Sequence, residues 1–519
     1  EFARRVRSLT PPAMTEDAPA PPKPWTRDGV GWLTSLLLHL AICLALAIAT
    51  LPATPLVSVL NLLAEDSGPD PLDELSALEE PSFDLGPIAD EPDSRDAASA
   101  LDGVAVLEDT PAPALSDPVA LAPLDVSLTL PTDSAGGALS GVGTDGRGAE
   151  SRAAWTLAKG GSARSEAAVA RGLAWLAEHQ NADGTWSLVH STGRCRGRCP
   201  NDARIGGEAP AANSVRGATA LALLPFLGAG QTPSEGRHRR VVRRGLAALV
   251  RLGREESGMP GRSWSDNGRM YAHGLATIAL GESYGMTGDS RLRAPADDAL
   301  AYLVAAQHER GGWRYRPGQS GDTSVTGWQV MALKSGQLAG LSVPPRVAKR
   351  AGAFLDSVAV SRGAEYRYTP PSRVGLEEGE EPPDPGGGTP TLTAVGLLSR
   401  MYLGWRQGDP RLARGIAALA EEGPDRGNYY FNYYAAQAIF HATGGAGPVW
   451  RAWNEELREQ LIAQQETEGH RRGSWWVEGP HNRRGGRLYT TALAVMTLEV
   501  YYRYLPLYQT AAVAEEFPD

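Results

Sequence analysis

One unit recurs along the C-terminal two-thirds of the chain: a helix that ends in glutamine, a glycine turn, and then a tryptophan. The clearest copies run from Arg171 to Gln180 and Trp186, and from Ala299 to Gln307 and Trp313. Weaker copies reach Trp264 and, from Ile462 through Gln464, Trp475. Such a glutamine can bond exposed backbone groups at the helix end, while the indole packs over the turn. Each unit is therefore predicted to join one helix to the next repeat, which explains 13 Trp against 7 Phe.

Ala-rich helices with small residues on one face alternate with these units. We predict that these inner helices begin near Val215, Met270, Thr323, Thr391, Tyr430 and Leu488. The outer helices are predicted near 165–180, 238–252, 295–307, 346–357, 410–420 and 450–465. Six helix pairs bury their faces if the array closes into a ring, although an open solenoid has the same pairing.

The Gln…Gly-x-Trp repeats resemble the QW motif of squalene and oxidosqualene cyclases. The run from Gly311 to Lys334 is similar, without a gap, to the zinc-binding segment of protein prenyltransferase β subunits. The resemblance covers roughly 165–505. It implies an all-α fold, an α6/α6 toroid with an apolar central cavity, which we expect over residues 151–510.

The catalytic signatures that this resemblance implies are incomplete. Class II cyclases use an Asp-x-Asp-Asp motif, in which one Asp protonates an alkene. The sequence has no such motif. The segment from Asp322 to Thr326 is the most similar to it, and Asp322 is the one carboxyl that this segment retains. Asp322 is therefore the candidate catalytic acid.

The zinc ligands of the prenyltransferases are also incomplete. The resemblance places an Asp, a Cys two residues later and a distant His around the metal, and here Asp322, Ser324 and Tyr489 occupy those positions. Neutral hydroxyl groups are poor zinc ligands. We therefore predict no metal and no cofactor. Arg316 matches an arginine that grips the substrate diphosphate, but Gln319 replaces its lysine partner.

Several other side chains are candidates for lining the cavity. His273 resembles a histidine at the cavity rim of prenyltransferases, although a capping or core histidine is the alternative. The cluster from Tyr429 to Tyr434 opens an inner helix. Together with Trp328, Trp405, Tyr489 and Tyr501, it either lines the cavity, where aromatic faces stabilise carbocations, or packs between helices. We assign Arg316, His273, Trp328, Tyr430 and Tyr489 to the ligand cavity.

Cys195 and Cys199 lie in an arginine-rich loop with His190 nearby. Outside the cytoplasm a disulfide between them is the default expectation. The loop alone offers too few ligands for a metal site. Flanking arginines lower a thiol pKa, so a redox role stays open.

Residues 29–51 are uncharged and mostly Leu, Ala and Ile. Twenty-three residues form about 34 Å of helix, enough to cross a bilayer of about 30 Å. A cleaved signal peptide is the alternative. Lys and Arg precede the segment in residues 1–28 and are absent after it until Arg95, which places the N-terminus in the cytoplasm and the rest outside, in the periplasm. Ser35 and His39 lie on one face and resemble the pair in TonB-type helices that faces a membrane motor complex.

Residues 52–150 are rich in Pro, Ala, Asp and Glu, and residues 52–146 carry 19 acidic groups against one Arg. Such a segment is predicted to be a disordered tether, either a plain spacer or a gate that docks on the toroid. Residues 511–519 form an acidic tail. The net charge of −10 argues against nucleic acid as a partner.

The sequence therefore predicts a membrane-anchored toroid that has lost both catalytic signatures. The leading hypothesis is a non-enzymatic module that binds an isoprenoid or lipid chain, or a protein partner. The first alternative is an active terpenoid enzyme that uses Asp322. The second is a structural platform of the cell envelope, coupled to a membrane complex through Ser35 and His39.

Overall fold

The computed structural model describes residues 147, 149–205, 209–210, 215–266, 269–371 and 387–503. This part of the chain is mostly helical, as the all-α prediction requires. The helices are α1 (Ala149–Ala158), α2 (Ala163–Glu178), α3 (Val215–Gly228), α4 (Arg239–Leu252), α5 (Met270–Thr287), α6 (Ser290–Ala305), α7 (Thr323–Leu338), α8 (Pro345–Val358), α9 (Pro390–Tyr402), α10 (Pro410–Glu422), α11 (Tyr429–Thr443), α12 (Gly447–Gln464), α13 (Pro480–Leu498) and α14 (Val500–Arg503).

Two short antiparallel ribbons interrupt this pattern. Strand β1 (Arg204–Ile205) pairs with β2 (Ala209–Pro210), and β3 (Ala359–Val360) pairs with β4 (Glu365–Tyr366). Each ribbon lies in a connection between an outer helix and the next inner one, and each has only two residues per strand.

Burial separates the helices into two layers. Helix α4 buries Val242, Leu246 and Leu249 on one face, while Arg243 and Arg244 on the other face are exposed. By contrast, every residue of the inner helix α5 from Met270 to Ser283 is buried. A helix that is apolar on one face lies at a surface, whereas one that is buried all round lies inside.

The inner helices form a closed ring. Each of α3, α5, α7, α9, α11 and α13 packs on the next, and α13 packs back on α3. The outer layer closes as well, because α12 contacts α2. We call the junction of the first pair, α2 and α3, with the last pair, α12 and α13, the seam. The open solenoid is excluded because an open array has no contact between its first and last repeats.

Five inner helices begin within one residue of their predicted starts, but the last does not. Helix α13 begins at Pro480, eight residues before the predicted Leu488, and kinks at Gly486 with φ +73°. A Cβ at Gly486 would lie 2.5 Å from the backbone nitrogen of Ala203. The kink and the missing side chain therefore let the chain from the first repeat pass against the last inner helix.

The recurring glutamine and tryptophan make the same contacts in different repeats. Gln307 Nε2 donates to the carbonyls of Gly311 (2.7 Å) and Val347 (3.0 Å), and Trp313 Nε1 donates to Leu303 (2.9 Å). The corresponding side chains in the first repeat are Gln180 and Trp186. Each glutamine thus bonds its own turn and the next outer helix.

The last copy shows one difference from the sequence analysis. Gln465, and not Gln464, donates to Gly473 (3.0 Å) and to Ala168 of the first outer helix (2.8 Å), beside Trp475. Gln464 instead donates to the carbonyl of Arg426. A one-residue step along a helix turns a side chain by about 100°, so only one of two neighbouring glutamines can face the turn.

No helix in the part of the chain that the structure describes has the length and apolar character needed to cross a membrane. The predicted anchor at 29–51, with Ser35 and His39, lies outside the described residues, as do residues 52–146 of the tether and the tail at 511–519. The tether was predicted to extend to residue 150, but Arg147 is buried and helix α1 begins at Ala149.

Candidate functional site

Aromatic side chains meet in the interior of the ring. Trp328 on α7 stacks on Tyr433 of α11, with ring centroids 5.7 Å apart and planes 15° apart. Tyr434 and Tyr430 lie 5.6 and 6.4 Å from the same indole. Helices α7 and α11 are separated by α9 in the ring, so these contacts form on the inner side of α9, in the interior of the ring.

Asp322 lies at the start of an inner helix on this interior. It is the N-cap of α7, and its Oδ1 accepts hydrogen bonds from the backbone of Val325 (2.8 Å) and the hydroxyl of Ser324 (2.7 Å). The Ser324 hydroxyl also lies 2.6 Å from that of Tyr271. The second oxygen, Oδ2, is buried without a hydrogen-bond partner. Asp322 therefore caps the helix with one carboxyl oxygen, and its other oxygen has no hydrogen-bond partner among the described residues.

Burial dominates the electrostatics of this site. It raises the pKa of the Asp322 carboxyl to about 6, against the opposing effects of its hydrogen bonds and of Arg314. Burial and the Asp322 charge also raise the pKa values of Tyr271, Tyr315 and Tyr368. The site therefore holds neutral phenols around a carboxyl that keeps its proton to higher pH than a free one.

The structure divides the residues that the sequence assigned to the cavity. Trp328, Tyr430 and Tyr489 lie on inner helices and are at most 3% exposed. Burial is the main cause of a raised Tyr430 pKa, and Tyr489 and Asp322 both contribute, which places Tyr430 within electrostatic range of both. These three aromatic residues belong to one interior with Asp322.

Arg316 and His273 do not join that interior. Arg316 is exposed on the turn before α7, where its backbone nitrogen bonds Gln319. His273 is fully buried between helices, with Nδ1 accepting from Trp264 (3.2 Å) and Nε2 donating to Ala299 of the outer helix α6 (3.0 Å). Both assignments were wrong because the direction of a side chain from its helix or turn depends on local geometry that spacing does not give.

Two further aromatic residues lie away from the centre. Trp405 is in the turn after α9, where the guanidinium of Arg411 lies 4.0 Å from its ring centroid. Tyr501 donates to Asn454 of the outer helix α12 (2.7 Å). Both pack in the outer part of the ring, which agrees with the alternative that these aromatic residues pack between helices.

A second polar group lies at the seam. His179, Cys195, Cys199 and His470 place one ligand atom each within 4.8 Å of the others, and we call this group the Cys–His cluster. His179 follows α2, the cysteines lie in the loop between α2 and α3, and His470 lies in the turn between α12 and α13. His470 Nδ1 is 3.1 Å from Cys199 Sγ and 3.7 Å from Cys195 Sγ.

Neighbouring groups fix the orientation of the cluster. His179 Nδ1 lies 2.7 Å from the carbonyl of Trp175, and the two rings stack with centroids 3.8 Å apart. The backbone nitrogen of Cys199 donates to Cys195 Sγ (3.1 Å). His190 faces Asp202, with Nδ1 to Oδ1 at 3.0 Å, and supports the loop from the side.

Burial keeps the histidines of the cluster neutral. It lowers the pKa of His179 to about 3 and also lowers that of His470. Burial together with Cys195 raises the pKa of the Cys199 thiol to about 12. Without another partner the two imidazoles of the cluster are therefore neutral at pH 7, and Cys199 keeps its thiol proton.

Both cysteines are free thiols, so the structure contains no disulfide between them. The loop by itself has too few ligands for a metal, but His179 and His470 bring the number of possible ligands to four. Both histidines were missed because they are 291 positions apart in the chain. The signal was present all the same, since His179 precedes Gln180 in the first repeat, and ring closure brings that repeat next to the last.

A buried ionic group that the sequence did not predict lies near the C-terminal ends of the inner helices. Glu282 pairs with Arg147 (2.9 Å) and Arg503 (3.2 Å), and Arg503 pairs with Glu499 (3.3 Å). All four side chains are at most 2% exposed. These contacts connect residues from both ends of the described chain, as a structural closure of the ring does.

Comparison with known proteins identifies no matching family model and no matching curated protein. Among solved structures, the alpha-1,6-mannanase GH76A of Salegentibacter sp. HEL1_6 is similar at 11% identity over 65% of this chain and 98% of its own, with a TM-score of 0.44. The type II terpene cyclase MstE from Scytonema is similar at 14% identity over 65% of this chain and 97% of its own, with a TM-score of 0.43. At these TM-scores neither likeness bears on the activity of this chain.

Proposed function

We propose that the protein is a binding module that takes an apolar ligand of the isoprenoid or lipid class into the aromatic interior of its ring. The observation that carries this proposal is the meeting of Trp328 with Tyr430, Tyr433 and Tyr434 across the ring, near buried Asp322. Aromatic faces offer a large apolar contact area, and a single buried carboxyl supplies one polar contact.

The interior side chains pack on one another in this structure, so a ligand has to separate them. Trp328 and Tyr434 are 0% exposed, and Tyr430 is 3% exposed. Ligand entry therefore replaces contacts between aromatic rings by contacts with the ligand. An apolar chain suits that exchange, because it leaves no polar group unpaired among the rings.

The pKa of Asp322 favours binding over cyclisation. Protonating an alkene requires a strong acid, and burial here raises the carboxyl pKa to about 6, which makes Asp322 a weaker acid than free aspartic acid. The neighbouring carboxyls of an Asp-x-Asp-Asp motif are also absent from the sequence. A protonated Asp322 can instead donate a hydrogen bond to a hydroxyl or carbonyl of the ligand.

Native mass spectrometry of the full-length protein, extracted gently from membranes, tests this proposal. We expect an additional apolar mass that is released on denaturation, and we expect Trp328→Ala to reduce its occupancy at least tenfold. A matched control is Trp405→Ala, which removes an indole outside the interior. A bare protein, or equal occupancy in both variants, would contradict the proposal.

Acid catalysis is the second candidate, because Oδ2 of Asp322 is buried without a partner. Asp322→Asn tests it cleanly, since Asn caps a helix about as well as Asp and cannot donate a carboxyl proton. Asp409→Asn is the control, because Asp409 caps the outer helix α10 in the same way. If the protein turns over a polyprenyl substrate, and Asp322→Asn abolishes this turnover whereas Asp409→Asn does not, the protein is an enzyme and not a binding module.

The membrane anchor at 29–51 and a periplasmic toroid belong to the same proposal, as does contact of Ser35 and His39 with a membrane complex. These assignments rest on hydropathy, on the distribution of Lys and Arg and on the spacing of the pair. Affinity capture with wild type and His39→Ala tests the partner. An unchanged partner set would remove the link to a membrane complex.

A further inference from the structure

We propose that His179, Cys195, Cys199 and His470 bind one zinc ion, and that this ion fastens the first helix pair of the ring to the last. The site is separate from the ring's interior and does not depend on the function proposed for it.

The distances from His470 to the two sulfurs fit a tetrahedral zinc site, and all four ligand atoms lie within 4.8 Å of one another. Bonds of about 2.3 Å to sulfur and about 2.0 Å to nitrogen place a sulfur and a nitrogen ligand about 3.5 Å apart. His470 Nδ1 lies 3.1 Å from Cys199 Sγ and 3.7 Å from Cys195 Sγ. These distances bracket the expected value, so a metal needs only small shifts of the side chains.

His179 has the tautomer and the orientation of a metal ligand. Its Nδ1 lies 2.7 Å from the Trp175 carbonyl and donates its proton there, which leaves the lone pair on Nε2. The residue is 3% exposed, and Nε2 is buried without a hydrogen-bond partner. An unpaired buried acceptor is destabilising, and a bond to a metal removes that penalty.

The two sulfurs have the surroundings of thiolate ligands. Cys195 and Cys199 are 0% and 1% exposed, and the backbone N–H of Cys199 points at Cys195 Sγ. An N–H donor stabilises negative charge on sulfur. Two thiolates neutralise one Zn²⁺, so the buried group carries no net charge, as burial requires.

The ligand set selects the metal and its role. Two sulfurs and two imidazoles in a tetrahedron favour zinc among the common divalent ions. Four protein ligands fill the coordination sphere and leave no position for water or substrate, which defines a structural site. His190, which faces Asp202, is the nearby histidine that stays outside the set.

The position of the site gives its purpose. Cys199 and His470 are 271 residues apart in the chain and belong to the first and last repeats. A connection between them closes the ring at the seam, where the first helix pair meets the last. Zinc therefore adds a fixed connection to a junction that otherwise relies on packing, hydrogen bonds and ion pairs such as that between Arg164 and Glu459.

Elemental analysis of the full-length protein, purified without chelators, tests the proposal. We expect one zinc per chain in the wild type, and a loss of at least tenfold in Cys199→Ser and in His470→Gln. The controls are Cys43→Ser and His308→Gln, which change the same residue types elsewhere and should retain the ion. Wild-type protein that stays below a tenth of one zinc per chain after incubation with equimolar zinc chloride would overturn the proposal, as would zinc retained by both site variants.

A second measurement uses wild-type protein alone and so does not depend on how a variant folds. Zinc should protect Cys195 and Cys199 together from alkylation, and a chelator should expose both, while the reactivity of Cys43 should not respond to zinc. Equal alkylation with and without zinc would contradict the site. A mass lower by two hydrogens, with Cys195 and Cys199 joined, would identify a disulfide and overturn the zinc assignment.

Discussion

The seam and the joint between α6 and α7 use the same device over very different lengths of chain. Gln307 bonds Val347, 40 residues away, whereas Gln465 bonds Ala168, 297 residues away. Closing the longer loop costs about 2 kcal/mol more in chain entropy. The seam accordingly carries contacts that the inner joint does not need, among them the Cys–His cluster. Each repeat therefore supplies the contacts of its own joint, whereas closure of the ring requires additional bonds.

Removal of zinc should have the largest effect on stability, because it weakens the seam and leaves the joint between α6 and α7 unchanged. A structural zinc site contributes on the order of 10 kcal/mol in small domains, and we expect several kcal/mol here because the seam also packs well. Chelation should therefore lower the melting temperature by roughly 10 °C. Calorimetry with and without chelator measures it, and Cys199→Ser should show no further loss on chelation. A melting temperature that does not change would mean that the seam holds without the metal.

Replacing the tryptophan of each joint by alanine should have the next largest effect. Trp475 and Trp313 are at most 1% exposed, and each Nε1 donates to a helix carbonyl, so each substitution should cost about 3–5 kcal/mol. The two variants should differ in their response to chelation. The costs of Trp475→Ala and of chelation should be non-additive, because both act on the seam, whereas those of Trp313→Ala should add. If the costs add in both variants, Trp475 is not energetically coupled to the metal site.

The pH dependence of Asp322 tests a contribution that belongs to the interior and not to the seam. Because its pKa rises from 3.8 to about 6 on folding, the folded protein binds the proton more tightly than the unfolded chain. Stability should therefore fall by about 2 kcal/mol as pH rises from 4 to 6.5. Asp322→Asn should remove this fall whether or not zinc is bound. Chemical denaturation across that range measures it, and a variant with the same slope as the wild type would assign the titration to another group.

The smallest effect should come from the glutamines. Gln465→Ala and Gln307→Ala each leave two carbonyls without their side-chain donor, which costs about 1–3 kcal/mol. Hydrogen exchange should show faster opening near residue 168 in the first variant and near residue 347 in the second. Gln464→Ala is the matched control at the seam. Faster opening near residue 168 in that variant would mean that Gln464, as the sequence predicted, and not Gln465 makes the joint.

Much of the ring was predictable from sequence because its determinants are local. The buried positions Val242, Leu246 and Leu249 follow the helical period, and the alternation of amphipathic and Ala-rich segments predicted the order of outer and inner layers. The start of α13 was not predictable in this way. Its first turns depend on a kink at Gly486 that the passing chain at Ala203 requires.

The candidate sites were predictable only in part. Asp322 and Trp328 were proposed because the run from Gly311 to Lys334 resembles a known segment, and the structure places both in the ring's interior at the start of α7 or within it. Arg316 was assigned to the same site, but it lies on an exposed turn. Sequence spacing gives the element on which a residue lies, whereas the direction of its side chain depends on how that element packs.

The sequence by itself determined the helices, their pairing and the glutamine–tryptophan joints, because periodicity, helix ends and turns depend on residues close together in the chain. Only the tertiary structure decided that the array closes, which side chains meet at its centre, and that His179 and His470 join Cys195 and Cys199. These outcomes depend on contacts between residues up to about three hundred positions apart. Such contacts form only when the whole ring packs, and no local pattern specifies them.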